Sequence, residues 1–412
     1  MSMDLKSSIF FYGIIIYLLS FIIEGPIRYV LQSAGGESLI YLRDIIMLFI
    51  ILVYVLKVLI SGKINKILMV TMFLLFFHAI VGFYYLGKSQ VLFGLKLMVP
   101  LLMGMMAYPI FSSRPETIKK LYLIFYLIAV LGVFLNMFVT FPWEGMSYEL
   151  LGHEIEGTRA WTALGFKRIA GFSRISFGVA AQTLILSIYL ITHLERKWVT
   201  VPLWLLGGIA ILATTSKSIM VAYGVISLFL IIRKIIPNYH DCYQKALIVP
   251  IMIMIALPLW ALILNRQNGG VDIFRKPMFL SLLERMLNTW PDAFEILQKQ
   301  GNVFLGRGIG AMGVSQVYFE SQFYSPGDNL FVYALGFFGM MSIVYFLCIY
   351  KLAQKIDLKS DLFYYNFILF FIIYGTLINV IETNFMLLFL GIWLRYLWSK
   401  DHGIKGKVLI NI

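Results

Sequence analysis

Charged residues make up only 13 % of this 412-residue chain, about half the share of an ordinary soluble domain. With 60 % hydrophobic residues there is too little polar surface to coat several water-soluble domains. Cysteine is nearly absent. Cys242 and Cys348 cannot supply a disulfide framework or a metal cluster. The five histidines, His78, His153, His193, His240 and His402, show no ligand spacing. Low-complexity stretches, heptad arrays and internal repeats are missing, and the lack of repeats argues against a transporter built from inverted halves. No small-residue cleavage site follows the first apolar run, so that run reads as an uncleaved span. Acids are also few: 34 Lys and Arg stand against 21 Asp and Glu, a net charge of +13. In a soluble protein that excess would suggest nucleic acid. Here the basic residues sit between long apolar runs, so the partner is the membrane and not nucleic acid.

What the chain does have is span-length apolar sequence. A span needs about 20 mostly apolar residues, and such runs lie near 8–23, 39–60, 67–86, 91–111, 120–142, 174–194, 198–214, 217–233, 246–264, 329–349, 362–381 and 384–398. The expected fold is an all-α polytopic integral membrane protein of about 12 transmembrane helices, with residues 1–412 forming a single transmembrane domain. The seventh and eighth runs are short and separated only by Thr214-Thr215-Ser216-Lys217-Ser218. One span with a re-entrant piece is the competing arrangement there.

Lys and Arg near span ends set orientation. With the N-terminus cytoplasmic, nineteen basic residues and seven acids fall on the inner side, an excess of about +12. Both termini are then cytoplasmic. Merging the seventh and eighth runs would put later basic loops outside, so the charge pattern favours two spans. The outer side is left near neutral, at about +1.

Two outer loops, 143–173 and 265–328, are too long to be connectors and too apolar to be disordered. In the larger, apolar positions 279, 282, 283, 286, 287 and 290 follow helical spacing. Pro291 suits the first turn of a second helix over Asp292–Gln300, with Gly301 ending it. The spacing predicts an amphipathic pair lying on the outer membrane surface, and the expected fold carries amphipathic helices on both long loops.

The same loops gather basic residues: Arg159, Lys167, Arg168 and Arg174 in the first, then Arg266, Arg275, Lys276, Arg285, Lys299 and Arg307 in the second. Arginine stays charged and offers forked donors that match phosphate oxygens. Its presence on the face that topology normally leaves poor in positive charge suggests an anionic ligand at the bilayer edge, such as a lipid diphosphate. Headgroup anchoring and surface ion pairs are the alternative for any one of them. Gly306-Arg307-Gly308-Ile309-Gly310 lacks the strand–helix setting and last glycine of a dinucleotide fingerprint, which leaves close packing or an oligosaccharide-facing turn. Ser325-Pro326-Gly327-Asp328-Asn329 is a turn leading into the tenth span. Asp328 there is either a helix cap or a catalytic carboxylate. Among charges within or at the spans, Lys96 and Lys217 are assigned to an outer cavity, while His78 reads as a packing residue.

Taken in order, these features resemble the O-antigen polymerase and O-antigen ligase superfamily of bacterial polysaccharide assembly. The likeness covers residues 160–345 by short motifs and the rest by span pattern. Arg168-x-x-Gly171 resembles the superfamily's first essential-arginine motif, and Thr214–Ser218 its Thr-x-Ser-Arg turn with Lys217 in the arginine's place. Glu284-Arg285 with Trp290 and the 306–310 glycines resembles the second arginine loop. Asp328-Asn329, nine residues before Gly339, is similar to a ligase signature that begins His-Asn, with aspartate replacing the histidine and Ser342 at its last position. That replacement points toward a polymerase.

The resemblance implies a substrate of oligosaccharide repeat units on undecaprenyl diphosphate. The growing chain would move from its lipid diphosphate onto the terminal sugar of a new lipid-linked unit, on the periplasmic side of the bacterial inner membrane. Arg168 and Arg285 would stabilise the leaving diphosphate, with Arg174, Lys217, Arg307, Arg159, Lys96 and Asn329 binding substrate. Asp328 or Glu284 would accept the acceptor's proton. The implied partners are the lipid-linked oligosaccharide, membrane lipids and a chain-length regulator. No cofactor is expected. Because the first outer loop, 24–37, carries only Glu24 and Glu37 as acids, neither is a metal. A ligase moving glycan to lipid A-core or another acceptor is the alternative. A flippase is a more distant one.

Overall fold

The computed structural model describes residues 3–36, 39, 41–61, 65–150, 153–159, 162–163, 166–236, 239–266 and 279–401. Each of the twelve apolar runs contains helix, the eleventh only as far as Gly375. Through the first five they are α1 (Met3–Ile22), α3 (Leu42–Ser61), α4 (Lys66–Tyr85), α5 (Lys88–Ser113) and α6 (Pro115–Phe138). The short helix α2 (Glu24–Ser33) lies between α1 and α3 and turns 86° away from α1. Local chemistry fixes several ends. Asn65 caps α4 by accepting from the amides of Ile67 and Leu68, and Pro115 sits in the first turn of α6, where its missing N–H costs nothing.

Later come α7 (Ser176–His193), α8 (Lys197–Ala213), α9 (Lys217–Ile235), α10 (Tyr239–Ala246) and α11 (Ile248–Arg266). α8 and α9 are separate helices, divided at Thr215, which takes the left-handed φ of 55° that a β-branched residue seldom adopts. Among the described residues, six helical stretches are long and apolar enough to cross a membrane, or seven if α1 and α2 count as one bent span. These are the helices of a membrane-embedded protein.

Three expectations need correction. The tenth run is not one helix: α15 (Leu330–Phe338) ends at Gly339 and α16 (Met341–Ala353) starts afresh. The amphipathic pair of the larger loop is one unbroken stretch. It runs as α12 (Leu280–Glu284), a π-helical turn (Arg285–Thr289) and α13 (Trp290–Gln300). The Trp290 amide bonds to the Arg285 carbonyl five residues back, just before Pro291, which has no N–H to continue the ordinary ladder. Finally, the described residues of the 143–173 loop form no helix. It holds two small antiparallel hairpins, β1 (Ser147–Leu150) with β2 (His153–Glu156) and β3 (Thr162–Ala163) with β4 (Phe166–Lys167). The larger loop adds α14 (Val314–Phe319), and α17 (Leu362–Gly375) and α18 (Asn384–Asp401) close the chain.

The chain divides into two compact units. The first comprises 1–64, 103–223 and 398–412. Its core is α7, buried at every position from Val179 to Leu190 and flanked by α6 and α8. Gly207 lets α8 approach: a Cβ there would lie 2.6 Å from the Ser187 hydroxyl. The 143–173 loop is tied down within this unit. Asn136 accepts from the Gly171 amide at 3.1 Å, Lys167 pairs with Glu144 at 2.6 Å, and the Gly25 amide donates to the Phe172 carbonyl at 2.8 Å.

The second unit comprises 65–102 and 224–397. Here α11 packs against α17, α13, α15 and the π-turn. Met286, Trp290, Ala293 and Leu297 form the buried stripe of the loop helix, at the spacing of one helical face. The 306–310 glycines serve close packing. A Cβ on Gly308 would sit 2.1 Å from the Gly82 nitrogen, so the loop backbone lies directly on α4.

Candidate active site

In the second unit the structure brings Arg285 and Asp328 together. Arg285 Nε and Nη2 both stand 3.1 Å from Asp328 Oδ2, and Nη1 donates to the Ser281 carbonyl at 2.8 Å. The side chains keep 20 % and 30 % of their surface exposed, so a ligand can reach them. The π-turn places Arg285. The 325–329 turn places Asp328 and is pinned to that same helix by Ser325 Oγ donating to the Thr289 carbonyl at 3.3 Å. Burial pushes the Asp328 carboxyl above its ordinary range, against the opposing pull of Arg285. Its backbone is held at φ 29°, which only Thr215 shares among described non-glycine residues with positive φ. Strain of this kind collects at functional positions.

Asp328 is not the helix cap. That role belongs to Asn329, whose Oδ1 accepts from the Phe331 and Val332 amides while Nδ2 donates to the carbonyls of Met254 and Thr376. Asn329 is fully buried and its side chain is occupied within the protein. The structure therefore moves it from substrate binding to architecture. Arg307 moves likewise: 2 % exposed, it pairs with Glu320 at 2.7 Å and donates to Gln300. Between the two candidate bases, Glu284 is exposed and accepts from Asn288 one turn on, while Asp328 holds the arginine. Lys96 is half-buried in α5 with its ammonium 5.6 Å from the Phe93 ring centroid.

One group in this unit escaped sequence reasoning. Glu382, in the turn between α17 and α18, is enclosed. Its Oε1 accepts from the Val314 amide at 2.6 Å and the Tyr333 hydroxyl at 3.1 Å. Burial pushes its carboxyl up to about 7, with the two donors opposing and the Asp328 charge adding. The Glu382-Thr383-Asn384 break was legible; its carboxyl's burial was not, because the donors come from residues 68 and 49 positions away.

In the first unit a second charged group forms around Glu24. Arg28 Nε and Nη2 approach Glu24 Oε1 at 2.9 and 2.6 Å, and Arg43 Nη1 lies 3.2 Å from the same oxygen. Burial would raise the Glu24 carboxyl, but Arg43, Arg28 and Arg174 together hold it at about 2. Arg174 also donates to the Glu156 carbonyl at 2.9 Å, and Arg159 pairs with the Glu156 carboxylate at 3.0 Å. Arg168 is half-buried just after β4, and Lys217 is exposed at the start of α9.

Arg275, Lys276 and Glu37 lie outside the described residues. Among the described residues no group of three or more His, Cys, Asp and Glu side chains is placed to share a metal ion. No protein-family model matches the chain, and no curated protein or solved structure matches it either.

Proposed function

We propose that this protein polymerises lipid-diphosphate-linked oligosaccharide repeat units into a surface polysaccharide. In this reading twelve spans cross the bacterial inner membrane with both termini in the cytoplasm, and the chemistry lies at the periplasmic face. The observation that carries it is the reachable Arg285–Asp328 pair, joining the amphipathic helix of the larger loop to the turn before α15.

The reaction needs an anion site and a base. The acceptor sugar's hydroxyl oxygen attacks the anomeric carbon of the growing chain. The bond from that carbon to the diphosphate oxygen breaks, its electron pair stays on the diphosphate, and the hydroxyl proton passes to a carboxylate. Arg285 supplies forked donors for the diphosphate charge that develops. Asp328 takes the proton. When Arg285 turns toward the diphosphate, Asp328 loses the cation that favours its charged form, and its proton affinity rises as the base is needed. Arg168, Arg174 and Lys217 lie in the first unit; a chain-length regulator is the expected partner in this reading.

The test is Arg285→Ala and Asp328→Asn in cells, followed by polysaccharide gels. Long chains should fall at least about 100-fold, the scale of removing a preorganised donor from a developing oxyanion. A normal ladder at wild-type protein level sinks the proposal. Gene deletion separates polymerase from ligase: the first leaves single repeat units on the lipid anchor, the second leaves none there.

A further inference from the structure

Asn302-Val303-Phe304-Leu305-Gly306 places three apolar residues in a turn, where chain is normally polar. Asn302 closes that turn. Its side chain accepts from the amides of Phe304 at 2.8 Å and Leu305 at 3.1 Å, and Asn302 and Gly306 exchange backbone hydrogen bonds. The Val303 carbonyl accepts from the Met340 amide at 2.9 Å. Backbone groups paired in this way do not need water. Within the stretch 301–313 only Val303 and Phe304 are exposed, at 47 % and 73 %. On α13, just before the turn, the exposed side chains include Asp292, Glu295, Gln298 and Lys299. The exposed surface thus changes from charged to apolar between Lys299 and Val303.

The turn stands beside a helix too short to cross a bilayer. α16 has 13 residues and rises about 20 Å, whereas a hydrocarbon core is about 30 Å thick. Met340, bonded to Val303, immediately precedes α16, so the turn extends that helix beyond its end. Met340, Val344 and Leu347 are exposed apolar residues, and Val303 and Phe304 continue the surface they begin. A neighbouring span gives the height. Gly308 packs on Gly82, three residues before α4 ends at Tyr85, which puts the loop backbone about 5 Å inside the end of a full-length span. Apolar groups settle at that depth, between headgroups and chains. Close packing holds the turn there: a Cβ on Gly339 would lie 2.4 Å from the Gly306 nitrogen.

We propose that Val303 and Phe304 are a membrane anchor of the larger loop, inserted among the acyl chains of one leaflet where α16 ends. The anchor follows directly on the α12–α13 helix that carries Arg285, and Arg307 ties the two together by donating to Gln300. Inserting the turn therefore seats α13 with its charged face toward water. The anchor does not depend on the polymerase reading.

The test uses the full chain carrying Cys242→Ser and Cys348→Ser, reconstituted in phosphatidylcholine vesicles. A fluorophore on Phe304→Cys should be quenched at least about 2-fold by lipids spin-labelled high on the acyl chain, and little by iodide in water. The same fluorophore on Glu295→Cys should show the reverse. If Phe304→Cys does not fold, Val303→Cys takes its place with the same expectation. Iodide quenching at position 304 as strong as at 295 would overturn the insertion. Protection from both quenchers would mean that another chain covers the turn, and would overturn it too. Seating is read by hydrogen exchange: Phe304→Asp should speed exchange of the α13 amides at least about 10-fold relative to Phe304→Leu. Equal exchange in those two variants would overturn the anchor's hold on α13. Neither measurement reads polysaccharide, so failure here is distinct from failure of the Arg285 test.

Discussion

Glu24 in the first unit and Glu382 in the second are both carboxyls taken out of water, and they end in opposite charge states. Glu24 meets guanidinium groups at 2.6 and 3.2 Å and is held at about 2. Glu382 meets an amide and a tyrosine hydroxyl and rises to about 7. Desolvation acts in the same direction on both. The difference lies in whether a full positive charge is available, because neutral donors recover only part of the hydration an ionised carboxylate loses. One unit therefore holds a carboxylate kept charged by its arginines, and the other a carboxyl that can carry a proton near neutral pH.

Breaking the charged cluster should have the largest effect on stability. Arg28 is 8 % exposed in the pair and Glu24 13 %, so Arg28→Ala leaves an acid only partly compensated by Arg43. The expected loss is about 3 kcal/mol, at the low end for a broken buried pair, seen as a lower unfolding temperature in detergent. A loss below about 1 kcal/mol would show that the cluster is solvated like a surface ion pair.

The pH dependence of stability sharpens the contrast. Glu382 binds its proton more tightly folded, at about 7, than unfolded, at 4.5. Its stabilising contribution is complete below about 4.5 and is lost as pH rises through about 7. Glu24 is shifted the other way, from 4.5 to about 2. Its contribution is present above about 4.5 and is lost as pH falls through about 2. Between pH 5 and 8 Glu382 thus contributes a fall in stability with a full span of about 3 kcal/mol. Thermal unfolding across that range should show the wild type losing stability relative to Glu382→Gln as pH rises, while the difference between the wild type and Glu24→Gln stays constant. An unaltered slope in Glu382→Gln would mean that its carboxyl is already ionised.

The contrast marks what the sequence could reveal. Hydropathy located helix in each of the twelve apolar runs, and six or seven described helices are long and apolar enough to span. It did not reveal that Gly339 divides the tenth run, since a glycine within an apolar stretch reads equally as helix. Arg285 and Asp328 were both legible as candidates from their loops. Their pairing across 43 positions was not, nor was the division of labour between neighbours, with Asn329 capping and Asp328 binding the arginine. Glu24 stood out only as one of two acids in a short loop, because its partner Arg43 lies on another helix. That division of labour predicts that Asn329→Ala costs about 2 kcal/mol through the lost cap, while Asp328→Asn leaves the unfolding temperature nearly unchanged and removes activity. Equal stability losses in both variants would place Asp328 in the framework with Asn329.

The smallest effect should come from removing the ionisable oxygen of Glu382 at pH 5 to 6. At that pH the carboxyl is largely protonated, and a glutamine carbonyl can accept from the Val314 amide and the Tyr333 hydroxyl in its place. Glu382→Gln should then cost under about 1 kcal/mol, the size of a modest change in hydrogen bonding, whereas Glu24→Gln at the same pH removes the charge that holds Arg28 and Arg43. If both substitutions cost the same, Glu382 is not neutral in the folded protein, and the two units would hold their buried acids in one charge state.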